Sequence, residues 1–493
     1  MSSAAQRLDN TKSVLVAGGG LAGMAAALAL AKHGANVQLL EARRTLGGRT
    51  GSFVLSDDRP GPSMAEAVGN ESESVDYCQH VGMGCCTNLK QFIAWLGQTE
   101  CWQEQRQLHF YGPTGRYRRL AALPLLPAPL HLMHWLTMWP GLSWRDRLSV
   151  ARGLLALGRL PLHGPATGQW AIDWLQTAGQ TAGAIDHFWR TILVSALGEQ
   201  LERVSLAAAA QVLQVGFLGH RQAFHLLVPT QPLGELFGRR AGEQLSQAGV
   251  DVRLGTAIDA IRPGVDGRPA VRSGGRWQEA DSLLLALPWH QLGRLELPGG
   301  GSALAAVAQR GLQLQSSPIS GIHTWWDRPW LPQAHAALVG RFCQWVFPRP
   351  QSGGAEGRAP AAVAGGRGHY YQIVVSASRQ LPPGDSAALQ SLLVQDLGPV
   401  FPLLKQAQLI RHKTVTDPRA VFSVSPDALE YRPDSRIADN LVLAGDWTNT
   451  GWPATMEGAI LSGFRAAETV LGGWQRPVRI VCPPLGTTRS ADA

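Results

Sequence analysis

The segment running from Ser13 to Glu41 constrains this chain more than any other. It reads SVLVAGGGLAGMAAALALAKHGANVQLLE: an apolar run, a glycine cluster, an Ala/Leu-rich stretch and a second apolar run. The pattern predicts a strand over 13–17, a helix over 21–33 and a strand over 36–41, a βαβ unit of ordinary size. Gly18, Gly20 and Gly23 form G-x-G-x-x-G between the first strand and the helix. Gly18 permits the tight turn, Gly20 lets backbone approach a pyrophosphate, and Gly23 lets helix and strand pack closely. The helix start, with Leu21 and Ala22, offers free N–H groups and a favourable dipole to phosphate. Glu41 ends the second strand, where an acid binds ribose hydroxyls and disfavours a ribose phosphate. FAD or NAD is therefore the expected ligand, rather than NADP.

Length and composition set the frame around this unit. A chain of 493 residues is expected to hold about two or three structural units. Hydrophobic residues at 45% and charged residues at 16% describe a folded protein. The net charge of +8 favours anionic partners such as phosphorylated cofactors or anionic lipid. The charges form no run of five, which argues against a nucleic-acid-binding tail. The six cysteines (78, 85, 86, 101, 343, 482) make no C-x-x-C pair and no zinc-like spacing, so no metal is expected. Adjacent Cys85 and Cys86 are expected to pack rather than to bridge. Reduced thiols and a polar N-terminus without a signal pattern point to the cytoplasm. No clean run of 18 apolar residues predicts a membrane span.

Along the chain, six segments are expected. Residues 11–105, 206–295 and 436–474 form a discontinuous dinucleotide-binding domain. Residues 106–205 form a helical cap and, with 296–435, the substrate domain; 475–493 is read as a poorly ordered tail. Residues 54–74 are read as a surface excursion, 350–368 as a loop insertion, and 85–97 as a helix starting near Thr87 or Asn88. The fold class is α/β: a Rossmann-like domain carrying an inserted α+β substrate domain that includes the cap.

Two further segments decide between the nucleotides. EARRTLGGRT places Ala42, Arg43, Gly47, Gly48 and Arg49 just after the acid. LVLAGDWTNTGWPATMEGAILSGFRAAETVL, at 441–471, reads as a strand ending in Gly445–Asp446, a Gly/Pro turn, and a helix starting near Thr455, Met456 and Glu457. A helix start aimed at a cofactor stabilises negative charge. Both segments resemble the FAD signatures of the amine oxidase and phytoene desaturase class. The resemblance implies FAD, with paired glycines passing close to it and Arg49 meeting phosphate. It also implies Asp446 against ribityl hydroxyls or the pyrophosphate, and the Ile258 backbone, in GVDVRLGTAIDAI, against adenine.

A fourth segment narrows the resemblance. DYCQHVGMGCCTNLKQFIAWLG, at 76–97, combines Asp76, Gln79 and His80 with Gly82 and Gly84. With GDWTNTGWPATMEGA it is similar to the hydroxysqualene dehydroxylases, bacterial squalene-associated flavoenzymes. Cys78 stands where that family carries Gly. The resemblance implies reduction of hydroxysqualene to squalene and water in squalene and hopanoid synthesis. Hydroxide leaves poorly, so a general acid must protonate it. His80 is expected to be that acid or to polarise the flavin edge, with Gln79 as its hydrogen-bond partner. A loop-capping structural His80 is the competing reading; His220, His225 and His323 are read as satisfied core or rim residues. The isoprenoid substrate calls for a long apolar tunnel. The apolar, Trp-rich stretch at 120–144 lines that tunnel, dips into the interface at the inner face of the cell membrane, or does both. No second G-x-G-x-x-G for NADPH is visible, so direct nicotinamide, an external reductase and a quinone stay open as electron donors. Rival readings are a carotenoid-type or phytoene-type desaturase or isomerase, an amine oxidase, and a non-catalytic flavin-stabilised scaffold.

Overall fold

A computed structural model of the chain describes residues 12–54, 74–161, 168–299, 302–349, 368–382 and 386–486. The predicted βαβ unit is present as β1 (Ser13–Ala17), α1 (Leu21–Lys32) and β2 (Asn36–Glu41). These strands are almost wholly buried apolar runs, as parallel strands covered on both faces must be. β1 is central in a six-stranded sheet. Asp251–Leu254 and β2 lie to one side, with Ser282–Leu285, Leu441–Leu443 and Arg436–Ala438 to the other. The first five strands are parallel and only the Arg436–Ala438 edge is antiparallel. Segments from the beginning, middle and end of the chain thus build one sheet.

Helix α1 is apolar on every side and buried from Leu21 to Leu30, the signature of a core helix. It packs against the C-terminal helix, Met456–Gly473. A Cβ on Gly463 would lie 2.2 Å from Ala22 O, so the two backbones meet there only because that residue is glycine. The helix expected at 85–97 is α2 (Thr87–Trp95). Its first residues receive no side-chain cap from Cys86, Thr87 or Asn88 themselves; the carboxylate of Glu457 reaches them instead.

The substrate side is built on a seven-stranded sheet, largely antiparallel. Its long strands are Ser316–Trp326, His369–Ser376 and Leu409–Phe422. The hairpin Gln107–Tyr111 and Tyr117–Ala121 closes its other edge. The segment 106–205, read as a helical cap, therefore opens as strand and turns helical only beyond Leu130. A three-stranded antiparallel sheet (258–263, 269–273, 276–279), which begins at Ile258, is appended to the nucleotide side.

Residues 475–486 correct the reading of a loose tail as far as the described residues go. Ile480 is buried, Val481 N donates to Glu468 Oε1 at 2.8 Å, and Cys482 N donates to Asn88 Oδ1 at 2.9 Å. Residues 487–493, all but the last residue of the loop insertion read at 350–368, and residues 55–73 of the excursion read at 54–74 lie outside the described residues.

Candidate functional site: a cofactor cradle joined across the chain

Each motif glycine meets a different constraint. Gly18 has φ +110°, and a Cβ there would sit 2.4 Å from Ala286 O. A Cβ on Gly23 would sit 1.9 Å from Gly18 O, which seals helix against strand. A Cβ on Gly20 would meet nothing within 4 Å. Turn and packing explain the first two; the third borders open space, as a cradle for a close-lying ligand requires. α1 starts at Gly20 without a side-chain cap, so the N–H groups of Leu21 and Ala22 have no protein acceptor among the described residues. That leaves them for phosphate.

Glu41 organises the loops on both sides of this space. Its carboxylate accepts from Gly19 N at 2.6 Å and from Arg43 N at 2.7 Å, and each oxygen keeps a lone pair for a ribose hydroxyl. Ala42 and Arg43 are exposed beside it, and Arg43 Nη1 donates to Gly48 O at 3.3 Å. Gly47 N donates to Gly19 O, which draws the paired glycines across the nucleotide loop, and Gly48 (φ +59°) faces Gly20. Thr256 N donates to Glu41 O at 2.8 Å, so half-buried Ile258 follows two residues after a direct contact with the acid's own peptide.

The two chain ends meet in one ion pair: Arg49 Nη2 lies 2.7 Å from Asp446 Oδ2, with Asp446 almost fully buried. The two signatures, about 400 residues apart, therefore form one site by direct contact. Thr455 caps the C-terminal helix, its side chain accepting from Gly458 N at 3.0 Å, and buried Met456 opens it. Glu457 departs from expectation. Its carboxylate accepts from Asn88 Nδ2 and from Leu89 N, both at 2.8 Å, so it ties α2 to the C-terminal helix rather than facing a ligand.

The 76–80 loop is tied to this site by Tyr77 N, which donates to Gly51 O at 3.1 Å, two residues from Arg49. Burial, and the Arg49 guanidinium nearby, lower the pKa of His80 and favour its neutral form. The ring Nδ1 is 2.9 Å from Cys78 O, which fixes Nδ1 as the protonated nitrogen and leaves Nε2 available. Gln79 is not a partner of the ring: its Nε2 donates to the His80 carbonyl at 3.2 Å. Asp76 lines a cleft of about 90 Å³ with Gln79, Tyr370 and Gln372. Burial pushes Asp76 up to about 6, against the pull of its hydrogen bonds from Ser52 and Leu233 N. His225, on Glu104, and His323, on Tyr370, are buried and partnered, and His220 Nδ1 accepts from Gln222 N, all as satisfied core or rim residues. Cys85 and Cys86 are free and buried.

Two site residues escaped the motifs. His290 follows the Ser282–Leu285 strand, and burial, then the charges of Arg419, Arg294 and Arg49, lower its pKa and favour the neutral imidazole there. Its position just beyond the carboxyl end of a parallel strand beside β1 was the available signal. Arg432 is the other. A wider groove of about 570 Å³ lies along the outer side of the C-terminal helix. The hydroxyls of Ser435, Thr448 and Thr469 there already donate to backbone carbonyls, so it offers little to a ligand.

The chain matches the flavin containing amine oxidoreductase family over residues 21–471. It belongs to that family. Among curated relatives, it is 26% identical to carotenoid phi-ring synthase of Streptomyces griseus, over 94% of this chain and 88% of that one. It is 25% identical to hydroxysqualene dehydroxylase of Rhodopseudomonas palustris (94% and 99%), and 24% identical to 15-cis-phytoene desaturase of Solanum lycopersicum (96% and 80%). Putrescine oxidase bound to putrescine superposes with a TM-score of 0.67 at 14% identity, over 94% of this chain and 99% of that one. This flavoprotein is an FAD-dependent oxidoreductase, and the uncapped α1 start, the space over Gly20 and the Arg49–Asp446 junction fit that cofactor. Among the described residues no group of His, Cys, Asp and Glu is arranged to hold a metal ion.

Proposed function

We propose that this flavoprotein removes the hydroxyl group of hydroxysqualene, giving squalene and water with two electrons from an external donor. The observation that carries the reading is the 76–80 loop, which Tyr77 N ties to Gly51 O at 3.1 Å, two residues from the Arg49 that pairs with Asp446, with the Arg49 charge acting on His80. The end-to-end likeness to a hydroxysqualene dehydroxylase supports it.

FAD held in this cradle, once reduced by the external donor, would supply the hydride equivalent that replaces the departing oxygen. The protein's own task is to deliver a proton to that oxygen. With Nδ1–H held by Cys78 O, Nε2 is the His80 nitrogen left to carry the transferred proton. Burial and Arg49 make the imidazolium a strong acid, so a proton placed on Nε2 is readily passed on. Dehydroxylation governed by His80 therefore rises as pH falls below the ordinary histidine range. His80→Ala is expected to keep FAD and lose turnover; near-parental turnover would remove His80 from the mechanism. The decisive experiment is anaerobic: photoreduce the bound flavin, add hydroxysqualene, and follow flavin absorbance and extracted lipid together. Squalene formed in step with flavin reoxidation supports the reading. Reduced enzyme that ignores hydroxysqualene, while oxidised enzyme desaturates phytoene, hands the site to the desaturase reading.

Delivery of such a substrate suggests a membrane-facing surface, and the cap offers one. Among the described residues no helix is long and apolar enough to cross a membrane. The helix Trp144–Leu157 instead turns a stripe of Trp144, Leu148, Arg152 and Leu155 outward. Leu125, 93% exposed, and Met133 are further exposed apolar side chains of the cap. Apolar side chains interleaved with arginine fit an anionic lipid interface, which supports a peripheral position on the inner face of the membrane. Co-sedimentation with phosphatidylglycerol vesicles, weakened in Trp144→Ala/Leu155→Ala, tests this; equal binding of parent and variant sinks it.

A further inference from the structure

Arg432 belongs to no recognised motif, yet it is among the most buried charges in the molecule, only 5% exposed. Its guanidinium fills the inside of the loop 446–452, which joins the Gly445–Asp446 turn to the C-terminal helix. Nε donates to Thr448 O at 3.0 Å and approaches Trp447 O at 3.4 Å. Nη2 faces Trp452 O at 2.8 Å, Thr450 Oγ1 at 3.1 Å, Asp446 O at 3.2 Å and Thr448 O. The Phe422 ring lies 4.8 Å from the guanidinium carbon. Burial lowers its pKa to about 10, with the Asp446 carboxylate acting the other way, so it stays charged at neutral pH.

A carbonyl and the N–H of the next residue point in opposite directions across a planar trans peptide. Turning Asp446 O onto Arg432 therefore turns Trp447 N–H away from it, and that N–H has no acceptor among the described residues. Thr448 N and Asn449 N, by contrast, are held by Gly445 O and Pro433 O. The loop is thus wrapped around a cation on one side and leaves a donor free on the other, next to the Asp446 side chain that pairs with Arg49.

We infer that Arg432 is a positioning residue for the cofactor: its buried guanidinium sets the 446–452 loop so that Trp447 N–H and the Asp446 carboxylate are presented to FAD. A lysine keeps the charge but cannot span the same carbonyls with one ammonium. Arg432→Lys is expected to stay folded in its FAD-free form, to raise the FAD dissociation constant about tenfold or more, and to shift the bound-flavin absorbance. Arg432→Ala empties a guanidinium-sized space, so added guanidinium at low millimolar concentration is expected to restore FAD binding where ammonium does not. Thermal melting of the FAD-free proteins separates loop placement from general destabilisation. R432K binding FAD as tightly as the parent overturns the inference, as does an affinity loss in R432A that guanidinium leaves unchanged.

Discussion

Around the nucleotide loop the tightest contacts are backbone against backbone. A Cβ on Gly23 would lie 1.9 Å from Gly18 O, and one on Gly463 would lie 2.2 Å from Ala22 O. In the cap the tight contacts are between rings: Trp139 and Phe188 have centroids 4.8 Å apart, and Phe188 and Trp189 5.3 Å. Trp139 and Trp189 are fully buried, and their indole N–H groups reach His187 O and Gln180 Oε1. The cradle depends on atoms that are missing at particular positions, whereas the cap depends on volume that many residues share. The first kind of constraint is unforgiving at a single residue, and the second is spread over a cluster.

The largest effect expected is at Gly23. Gly23→Ala places a methyl group into Gly18 O with no flexible neighbour to yield, and is expected to cost more than about 4 kcal/mol and to abolish the FAD-bound form. Gly20→Ala is the control that sharpens the comparison, since its methyl meets no protein atom within 4 Å. It is expected to leave melting of the FAD-free protein unchanged while weakening FAD binding about tenfold or more. Parental FAD affinity in Gly20→Ala would mean that the open space is not where the cofactor passes.

This contrast also explains what could be read from the chain before its fold was known. β1, α1 and β2 were legible nearly to the residue because glycine spacing and a buried apolar run leave few alternatives. The family and FAD were legible because two such signatures occur in order. Glu457 was misread: its place in the motif suggested a ligand, but only tertiary contact reveals that it caps α2 from another part of the chain. Gln79 was paired with the wrong group of His80 because sequence adjacency does not say whether a side chain reaches a ring or a carbonyl. Arg432 was invisible because its partners are backbone carbonyls, which every residue carries. The hairpin at 107–121 was absorbed into the cap because its partners lie more than 200 residues away in the substrate sheet.

A smaller effect is expected in the cap. Trp189→Ala removes a fully buried indole and leaves Gln180 Oε1 without its donor, at a cost of about 3–5 kcal/mol. Trp189 shares one buried cluster with Leu15, Ala17 and Leu443 of the nucleotide sheet; if the loss is absorbed within the cap, FAD affinity changes little while denaturant unfolding monitored by tryptophan fluorescence moves to lower concentration. A parallel loss of FAD would break the comparison and show that the cap supports the cradle through the shared core.

The smallest effect lies on the seam between the two, at Asp76. Ser52 Oγ donates to its Oδ1 at 2.6 Å and Leu233 N at 2.7 Å, so the carboxyl group caps a helix start while lining the cleft with Tyr370 and Gln372. Burial raises its folded pKa to about 6, above the value near 4 of an unfolded chain. The folded state therefore holds this proton more tightly than the unfolded state does. The contribution to stability is complete below about pH 4 and is lost as pH rises through about 6, by on the order of 2 kcal/mol. Asp76→Asn keeps the oxygen acceptor without a charge to bury, so it is expected to match the parent near pH 4 and to exceed it in urea midpoint at pH 7.5. A variant less stable than the parent at pH 7.5 would mean that the ionised carboxylate is favourably partnered across the seam. Cradle and substrate sheet would then be coupled by charge as well as by packing.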